Sequence, residues 1–304
     1  MDLHGTKIER LVRRAERFYD ARTSDYRRAK LIGKAWYVET RARLARRRGD
    51  NAAARKYRSR ALSYRRTLHD PGAALENIVA LSQLERERSL LNEAAEYLEE
   101  GRQICAEVDP TSAFREEVLA LVDGYRERGD DEAAAEWYFT SIYLSRVADP
   151  DFERERPERH RRYLDLAEGP STTVNVYDLG LRNVLYGDDL AAECLAEAWA
   201  NESALEPRHQ QYRIALAAGV GLLALDVLGA GDLDDAGRDA IREVVGDKRD
   251  QLSEPASALL GAVEGEDVDL STFDSDVDPR DIRANLGELE EAAYATLMER
   301  LDDS

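Results

Sequence analysis

Similar residues recur every forty positions in the first half of the chain. A turn former recurs at Gly49, Ser89 and Gly129, and an alanine recurs at Ala54, Ala94 and Ala134. A second small residue recurs at Ala61, Gly101 and Ser141. Self-similarity at a period of about 20 to 50 residues is typical of repeat architectures. The chain is therefore expected to build one supersecondary unit three times.

Each copy predicts a helical hairpin. The first helix should end at the glycine or serine, because these residues tolerate the left-handed backbone that closes a helix. An aspartate or asparagine follows and can cap the second helix. A dipeptide that cannot continue a helix should then terminate it. This dipeptide is Asp-Pro, at Asp70-Pro71, Asp109-Pro110 and Asp149-Pro150.

The third copy resembles a tetratricopeptide repeat. The residues at the large and small positions of that family are Leu121, Tyr125, Gly129, Ala134, Tyr138 and Ser141. The period of forty is longer than the family's repeat of about 34 residues. The resemblance covers roughly residues 25 to 150 and is best in 115–150. It implies a right-handed stack of helix pairs whose concave face binds a partner.

The hairpin repeats and the resemblance together predict an all-α chain. Its antiparallel helix-hairpin repeats should stack as a TPR-like solenoid, followed by a further helical region. The predicted regions are a repeat region, 1–167, and a C-terminal helical region, 168–304, which is either a separate domain or a continuation of the array. A Gly-Asp-Asp pattern within 185–202 predicts a degenerate fourth hairpin. The apolar stretch 214–231 contains Asp226 and is shorter than the roughly 20 apolar residues of a membrane span, so we expect a buried core helix.

Composition favours a folded, acidic, intracellular protein. The chain has 62 acidic and 43 basic residues and a net charge of -19, and hydrophobic residues make up 43%. Strong acidity with few lysines is typical of proteins from halophiles, and a high-GC bacterial source is the alternative. The N-terminus has no apolar signal segment and the two cysteines are isolated, which predicts a reducing cytoplasm.

Positive charge is concentrated at one end of this acidic chain. Residues 1–70 hold 21 basic and 8 acidic residues, whereas the remaining 234 hold 22 and 54. We call the eight predicted binding residues of the first hairpin the basic set: Arg46, Arg47, Arg48, Arg55, Lys56, Arg60, Arg65 and Arg66. Arginine offers a planar fork of donors that suits carboxylates and phosphates.

Three interpretations of the basic set are open. Its side chains pair with the protein's own acidic residues or form a solvated face, they meet an acidic protein partner or a second subunit, or they bind nucleic acid. Aromatic residues lie among them, which is common at nucleic-acid surfaces. These are Trp36, Tyr37, Tyr57 and Tyr64. Trp137 in the third copy is a further candidate for partner binding, although packing in the core is the simpler role.

No catalytic, cofactor or metal signature is present in the sequence. His4, His69, His160 and His209 form no ligand spacing with each other or with a cysteine, and no phosphate-binding glycine loop is found. We therefore expect a non-enzymatic scaffold or adaptor without cofactors, with a nucleic-acid-associated regulator as the alternative. The first helix is a basic amphipath, and we expect it to dock on the next helix rather than on a membrane. A pocket with polar groups near 214–228 would instead favour an enzyme.

Overall fold

The computed structural model describes residues 3–167, 170–201, 209–228, 235–246, 248–268, 277–281 and 284–302. Every regular element in this part of the chain is helical, so the predicted all-α class is confirmed. Side chains of the first helix are described from residue 24 onward. The predicted apolar stripe and basic face of residues 7–19 therefore lie outside the described side chains.

Fourteen α-helices lie in the described residues. Their bounds are α1 Leu3–Arg47, α2 Asn51–Thr67, α3 Pro71–Arg86, α4 Leu91–Ile104, α5 Ser112–Arg128, α6 Asp131–Ala148, α7 Phe152–Leu164, α8 Pro170–Tyr186, α9 Leu190–Ala200, α10 His209–Leu223, α11 Leu225–Leu228, α12 Asp235–Gly246, α13 Glu254–Val263 and α14 Leu286–Asp302. Packing divides the chain into two compact units, 1–117 and 118–304. The predicted domain boundary after residue 167 stays a prediction.

The predicted hairpin turns are present at the period of forty. Gly49, Ser89 and Gly129 all have positive φ, at 75°, 61° and 77°. In each turn the next residue donates its backbone N–H to the carbonyl five positions before that residue, as in Asp50 to Ala45 at 3.0 Å. This bond closes the end of a helix in the Schellman motif. The repeat in the sequence is therefore a repeat of helix ends.

Aspartate side chains begin the second helix in two of the three copies. Asp50 accepts the backbone N–H of Ala53 at 2.9 Å, and Asp130 accepts that of Ala133 at 3.3 Å. The middle copy has Leu90 at this position, which offers no side-chain acceptor. A side-chain cap is worth about 1 kcal/mol, so the middle turn lacks one stabilising contact.

Only one of the three Asp-Pro dipeptides has the helix-terminating role that was expected. Asp149 directly follows α6, which agrees with a terminating role. Asp70 instead caps α3, accepting the backbone N–H of Ala73, and Pro71 occupies the first turn of that helix. Proline suits this position because the first helical N–H has no intrahelical partner. Asp109 lies beyond the turn that follows α4.

Small residues bring the helices of unit 1–117 into close contact. Ala54, Ala61 and Ala94 are buried. At Gly101 of α4, an added Cβ would lie 2.8 Å from Cζ of Phe114 and 3.2 Å from Cγ2 of Ile78. A glycine is therefore required where α3, α4 and α5 meet.

The turn at Ser89 provides a stability prediction. We expect Ser89→Gly to raise the free energy of unfolding by about 1 kcal/mol, because glycine adopts positive φ without steric cost. The reciprocal change Gly49→Ser, at the equivalent turn, is expected to lower it by a similar amount. Urea unfolding followed by helical circular dichroism measures both changes. Equal and same-sign effects in the two variants would contradict the equivalence of these turns.

Unit 118–304 contains the predicted fourth hairpin and the predicted core helix. Gly187 has a φ of 68° between α8 and α9, and Asp188 donates its backbone N–H to Asn183 at 2.9 Å. Most described side chains of α10 are buried. A Cβ at Gly219 would lie 2.9 Å from Trp199, so a glycine allows close packing at this position. No described helix is long and apolar enough to cross a membrane.

A buried polar layer joins α7 and α8 in this unit. The Nδ1 atom of His160 lies 3.0 Å from Oδ1 of Asn183, which also accepts from Arg156 at 3.0 Å. Arg156 also donates a hydrogen bond to Oδ2 of Asp188 at 2.8 Å. Burial, together with the nearby Arg146, lowers the pKa of His160 to about 3. This histidine is therefore neutral at physiological pH and serves the packing of the unit.

Candidate partner-binding surface

Half of the basic set pairs with acidic residues of the same unit. Arg46 donates to Glu87, Arg55 lies against Glu85, and Arg66 pairs with Glu100. The partners of Arg46 and Arg66 are 41 and 34 positions away in sequence, in the neighbouring hairpin. Self-pairing, one of the three open interpretations, thus accounts for part of the set.

Arg65 is the most deeply placed member of the basic set. Its Nε and Nη2 atoms donate to the two carboxylate oxygens of Glu39 at 2.8 and 2.9 Å. Its Nη1 atom donates to Asp70 at 2.8 Å. Burial raises the pKa of the Glu39 carboxyl, but the hydrogen bonds from Arg65 and Asn77 lower it more, so the net shift is downward. Arg65 therefore holds α1, α2 and α3 together, and its part in partner binding stays a prediction.

The other half of the basic set has no ion-pair partner among the described residues and is exposed. We call these four residues the exposed basic quartet: Arg47, Arg48, Lys56 and Arg60. Unpaired surface cations keep their full capacity to bind an external anion, because no internal carboxylate competes for them. The quartet is therefore the part of the predicted surface that is open to a partner.

A groove of about 700 Å³ runs beside two members of the quartet. It is lined by residues of α2, α3 and α4 and of the turn between the last two, namely Asn51, Ala52, Arg55, Lys56, Ser59, Arg60, Leu84, Arg88 and Tyr97. We call it the α2–α4 groove. It combines cations at its sides with Leu84 and the aromatic ring of Tyr97. Such a mixture can hold both the charged and the apolar groups of a peptide.

A smaller groove of about 250 Å³ lies between α1 and α3. It is also rich in arginine, and its lining residues are Ala42, Arg43, Arg46, Arg47, Ala54, Arg58, Ala80, Gln83 and Leu84. Arg58 donates to Oδ1 of Asn77 at 3.0 Å, which fixes it against α3. Leu84 lines both grooves, and it packs with Ala45 and Ala54 in the core of the hairpin.

The aromatic residues of the predicted surface divide into two pairs. The guanidinium of Arg41 lies 5.4 Å from the ring centroid of Tyr57, and the ammonium of Lys34 lies 6.0 Å from that of Tyr64. Trp36 and Tyr37 instead extend from α1 and are 64% and 57% exposed. Only this second pair presents open ring faces to solvent.

Trp137 of α6, the ninth predicted binding residue, is 9% exposed. Its burial places it in the interior of unit 118–304 rather than on an open face. It thus belongs to a different unit from the basic set. A role in partner binding stays a prediction for this residue.

Sequence reasoning missed four charged or aromatic residues that line these grooves, Arg43, Arg58, Arg88 and Tyr97. Arg88 and Tyr97 lie beyond residue 70, outside the segment that the charge count marked as basic. Arg43 differs from its neighbours only in its position on the face of α1. The period itself was the available signal, because it predicts that the second hairpin packs on the first.

The described residues contain no group of three or more His, Cys, Asp or Glu side chains placed to hold a metal ion. Cys105 and Cys194 are both free thiols. Burial raises the pKa of Cys105 to about 11 and that of Cys194 to about 12. Neither thiol is therefore activated as a nucleophile at neutral pH.

No protein-family model matches this sequence, and no curated protein matches it either. The chain is similar in structure to BtubC (BKLC) from P. vanneervenii, at 17% identity and a TM-score of 0.32 over 87% of this chain and 92% of that one. It is also similar to a putative kinesin light chain with nearly identical TPR-like repeats from Podosopora anserina. That structure aligns at 17% identity and a TM-score of 0.30 over 78% of this chain and 95% of that one.

A single-substitution variant of the same Podosopora protein aligns at 16% identity and a TM-score of 0.30 over 79% of this chain and 98% of the other. Similarities at this level give no partner and no activity for this chain. The assignment of helical hairpins depends on the helices and turns described above.

Proposed function

We propose that the protein is a non-enzymatic helical-repeat scaffold that binds an acidic segment of a protein partner at its first hairpin. The observation that carries this proposal is the exposed basic quartet, of which Lys56 and Arg60 line the α2–α4 groove. Arrays of helical repeats use extended surfaces of this kind for binding rather than enclosed active sites. Clusters of arginine are a recurrent means of recognising acidic motifs.

The paired members of the basic set support the same surface indirectly. Arg55 and Arg88 line the α2–α4 groove, and both contact the buried carboxylate of Glu85. Because two guanidinium groups share one carboxylate, this side of the groove carries a net positive charge. An acidic peptide would meet Lys56 and Arg60 first and this shared pair next.

Selection of peptides from a random display library tests this proposal without knowledge of the natural partner. We expect peptides selected on the wild-type protein to be enriched in Asp and Glu. The variant Arg47→Glu, Arg48→Glu, Lys56→Glu, Arg60→Glu should lose this enrichment and bind the selected peptides at least about tenfold more weakly, a change of ~1.4 kcal/mol.

A control matched in charge change reverses four exposed arginines of the other unit, Arg126, Arg154, Arg161 and Arg242. The last three of these have ion-pair partners. This control changes the net charge equally and should leave peptide selection unchanged. Equal loss in both variants would indicate a general charge effect, and retained enrichment in the quartet variant would refute the proposed surface. Selections in low salt and in multimolar KCl separate specific contacts from screened attraction.

A nucleic-acid-associated regulator is the second candidate, favoured by the exposed rings of Trp36 and Tyr37. Base stacking on aromatic side chains next to cations is a common mode of single-strand binding. Labelled single-stranded DNA and RNA, titrated over the same salt series, distinguish this role. Binding whose affinity falls steeply with salt and depends on Trp36 would favour nucleic acid.

A further inference from the structure

A pocket of about 340 Å³ lies between α10 and α14 in unit 118–304. Its lining residues are Arg213, Ile214, Asn285, Leu286, Gly287 and Glu290. This volume is near the lower end of the range for ligand pockets, about 300 to 1,000 Å³. The pocket therefore suits a small molecule rather than a peptide.

A buried carboxyl group lines this pocket. Glu290 is 4% exposed, and its Oε1 atom lies 3.3 Å from the hydroxyl of Tyr177. That hydroxyl lies 2.5 Å from the hydroxyl of Tyr294, which in turn lies 2.5 Å from the backbone carbonyl oxygen of Ala217. The three side chains and the carbonyl form one chain of hydrogen bonds.

Counting protons along this chain gives the charge state of the carboxyl. When Glu290 is protonated, it donates to Tyr177, Tyr177 donates to Tyr294, and Tyr294 donates to Ala217, so every contact has its proton. When Glu290 is ionised, three contacts share only two protons and one is left unmade. Burial, the largest influence, also raises the pKa of Glu290 to about 7, although Arg213 and Tyr177 act in the opposite direction.

Arg213 brings the opposite charge to the same pocket. Its side chain is exposed, and no ion pair joins it to Glu290 or to any other residue in the described part of the chain. Two groups of complementary charge thus line one cavity without forming an ion pair with each other. A ligand that carries both charges could satisfy both groups at once.

We propose that this pocket binds a small zwitterionic amine, such as an amino acid, with its ammonium group on Glu290 and its carboxylate on Arg213. The ammonium ion stabilises the ionised form of Glu290, which then accepts hydrogen bonds from the ligand and from Tyr177. Ligand binding therefore releases the proton of Glu290 when the pH is below the pKa of about 7 that this carboxyl has in the free protein. At higher pH the carboxyl is already ionised and no proton is released.

Isothermal titration calorimetry tests this proposal when it is done in two buffers of different ionisation enthalpy. The probes are glycine, γ-aminobutyrate and 6-aminohexanoate, which separate the two charges by increasing lengths. Hexylamine and hexanoate each carry one of the charges. We expect at least one zwitterion to bind the full-length protein and to release about 0.9 proton at about pH 6 and almost none well above pH 7.

Three variants complete the test. Glu290→Gln, a near-isosteric change, should abolish the proton release and weaken the bound zwitterion at least about tenfold. The matched control Glu291→Gln, at the next position, should behave as the wild type. Arg213→Gln should weaken the zwitterion but leave hexylamine unchanged. The proposal is overturned if no zwitterion binds at alkaline pH, or if Glu290→Gln binds it as tightly as the wild type does.

Discussion

Replacement of Arg65 by methionine is expected to lower the free energy of unfolding by about 3 to 5 kcal/mol, because it leaves the buried carboxylate of Glu39 without its partner. Methionine preserves much of the apolar stem, so the loss reports the ion pair rather than a cavity. Urea unfolding measures the change, and hydrogen–deuterium exchange should show faster exchange in α1, α2 and α3.

The control for this prediction is Arg60→Met in the same helix. Arg60 belongs to the exposed basic quartet, and its replacement should change stability by less than about 0.5 kcal/mol. A similar loss in both variants would show that Arg65 has no special structural role.

The ion pair between Glu39 and Arg65 also has a defined pH dependence. The pKa of folded Glu39 is lowered, so its contribution is complete above the unfolded pKa near 4.5 and is lost as pH falls through the folded value.

The contact between Gly101 and Phe114 predicts a large effect of a different kind. Phe114 is fully buried, and Phe114→Ala should cost about 3 to 5 kcal/mol through lost burial and the cavity that remains. Gly101→Ala alone should cost about 1 to 3 kcal/mol, because the new Cβ overlaps the phenyl ring. In the double variant the Cβ occupies part of the cavity. The combined loss should therefore fall short of the sum by about 0.5 to 3 kcal/mol.

Gly33→Ala provides the control for this cycle. A Cβ at Gly33 meets no atom within 4 Å, so its effect should add to that of Phe114→Ala. We expect Gly33→Ala itself to stabilise α1 by about 0.5 to 1 kcal/mol. Additive energies for Gly101 and Phe114, measured by the same unfolding experiment, would contradict the close contact.

The turns and helix starts of the first half could be predicted from the sequence because they are local. A residue with positive φ, an aspartate acceptor and the N–H that it caps are near neighbours along the chain, as in Gly49, Asp50 and Ala53. The same short range explains the error at Asp70-Pro71, since the sequence pattern alone did not show which of two adjacent helices this dipeptide serves.

The roles within the basic set could not be predicted in this way. Arg65 and Arg66 are identical neighbours, yet their side chains are 15% and 55% exposed. Successive residues of a helix point about 100° apart, and only the packing of α1 and α3 decides which of the two meets Glu39. The pocket at Glu290 was equally hidden, because its residues come from α10 and α14, segments far apart in the sequence that only the folded unit brings together.

The recurrence of left-handed turns at a fixed spacing also affects how such a chain can change in length. A segment that runs from Gly49 to Ser89 carries one complete turn, the second helix of one hairpin and the first helix of the next. Duplication or deletion of this segment would leave each remaining turn joined to a helix of suitable length. Insertions or deletions of one full period would therefore add or remove binding surface one pair of helices at a time. Insertions of other lengths would separate a cap from its helix.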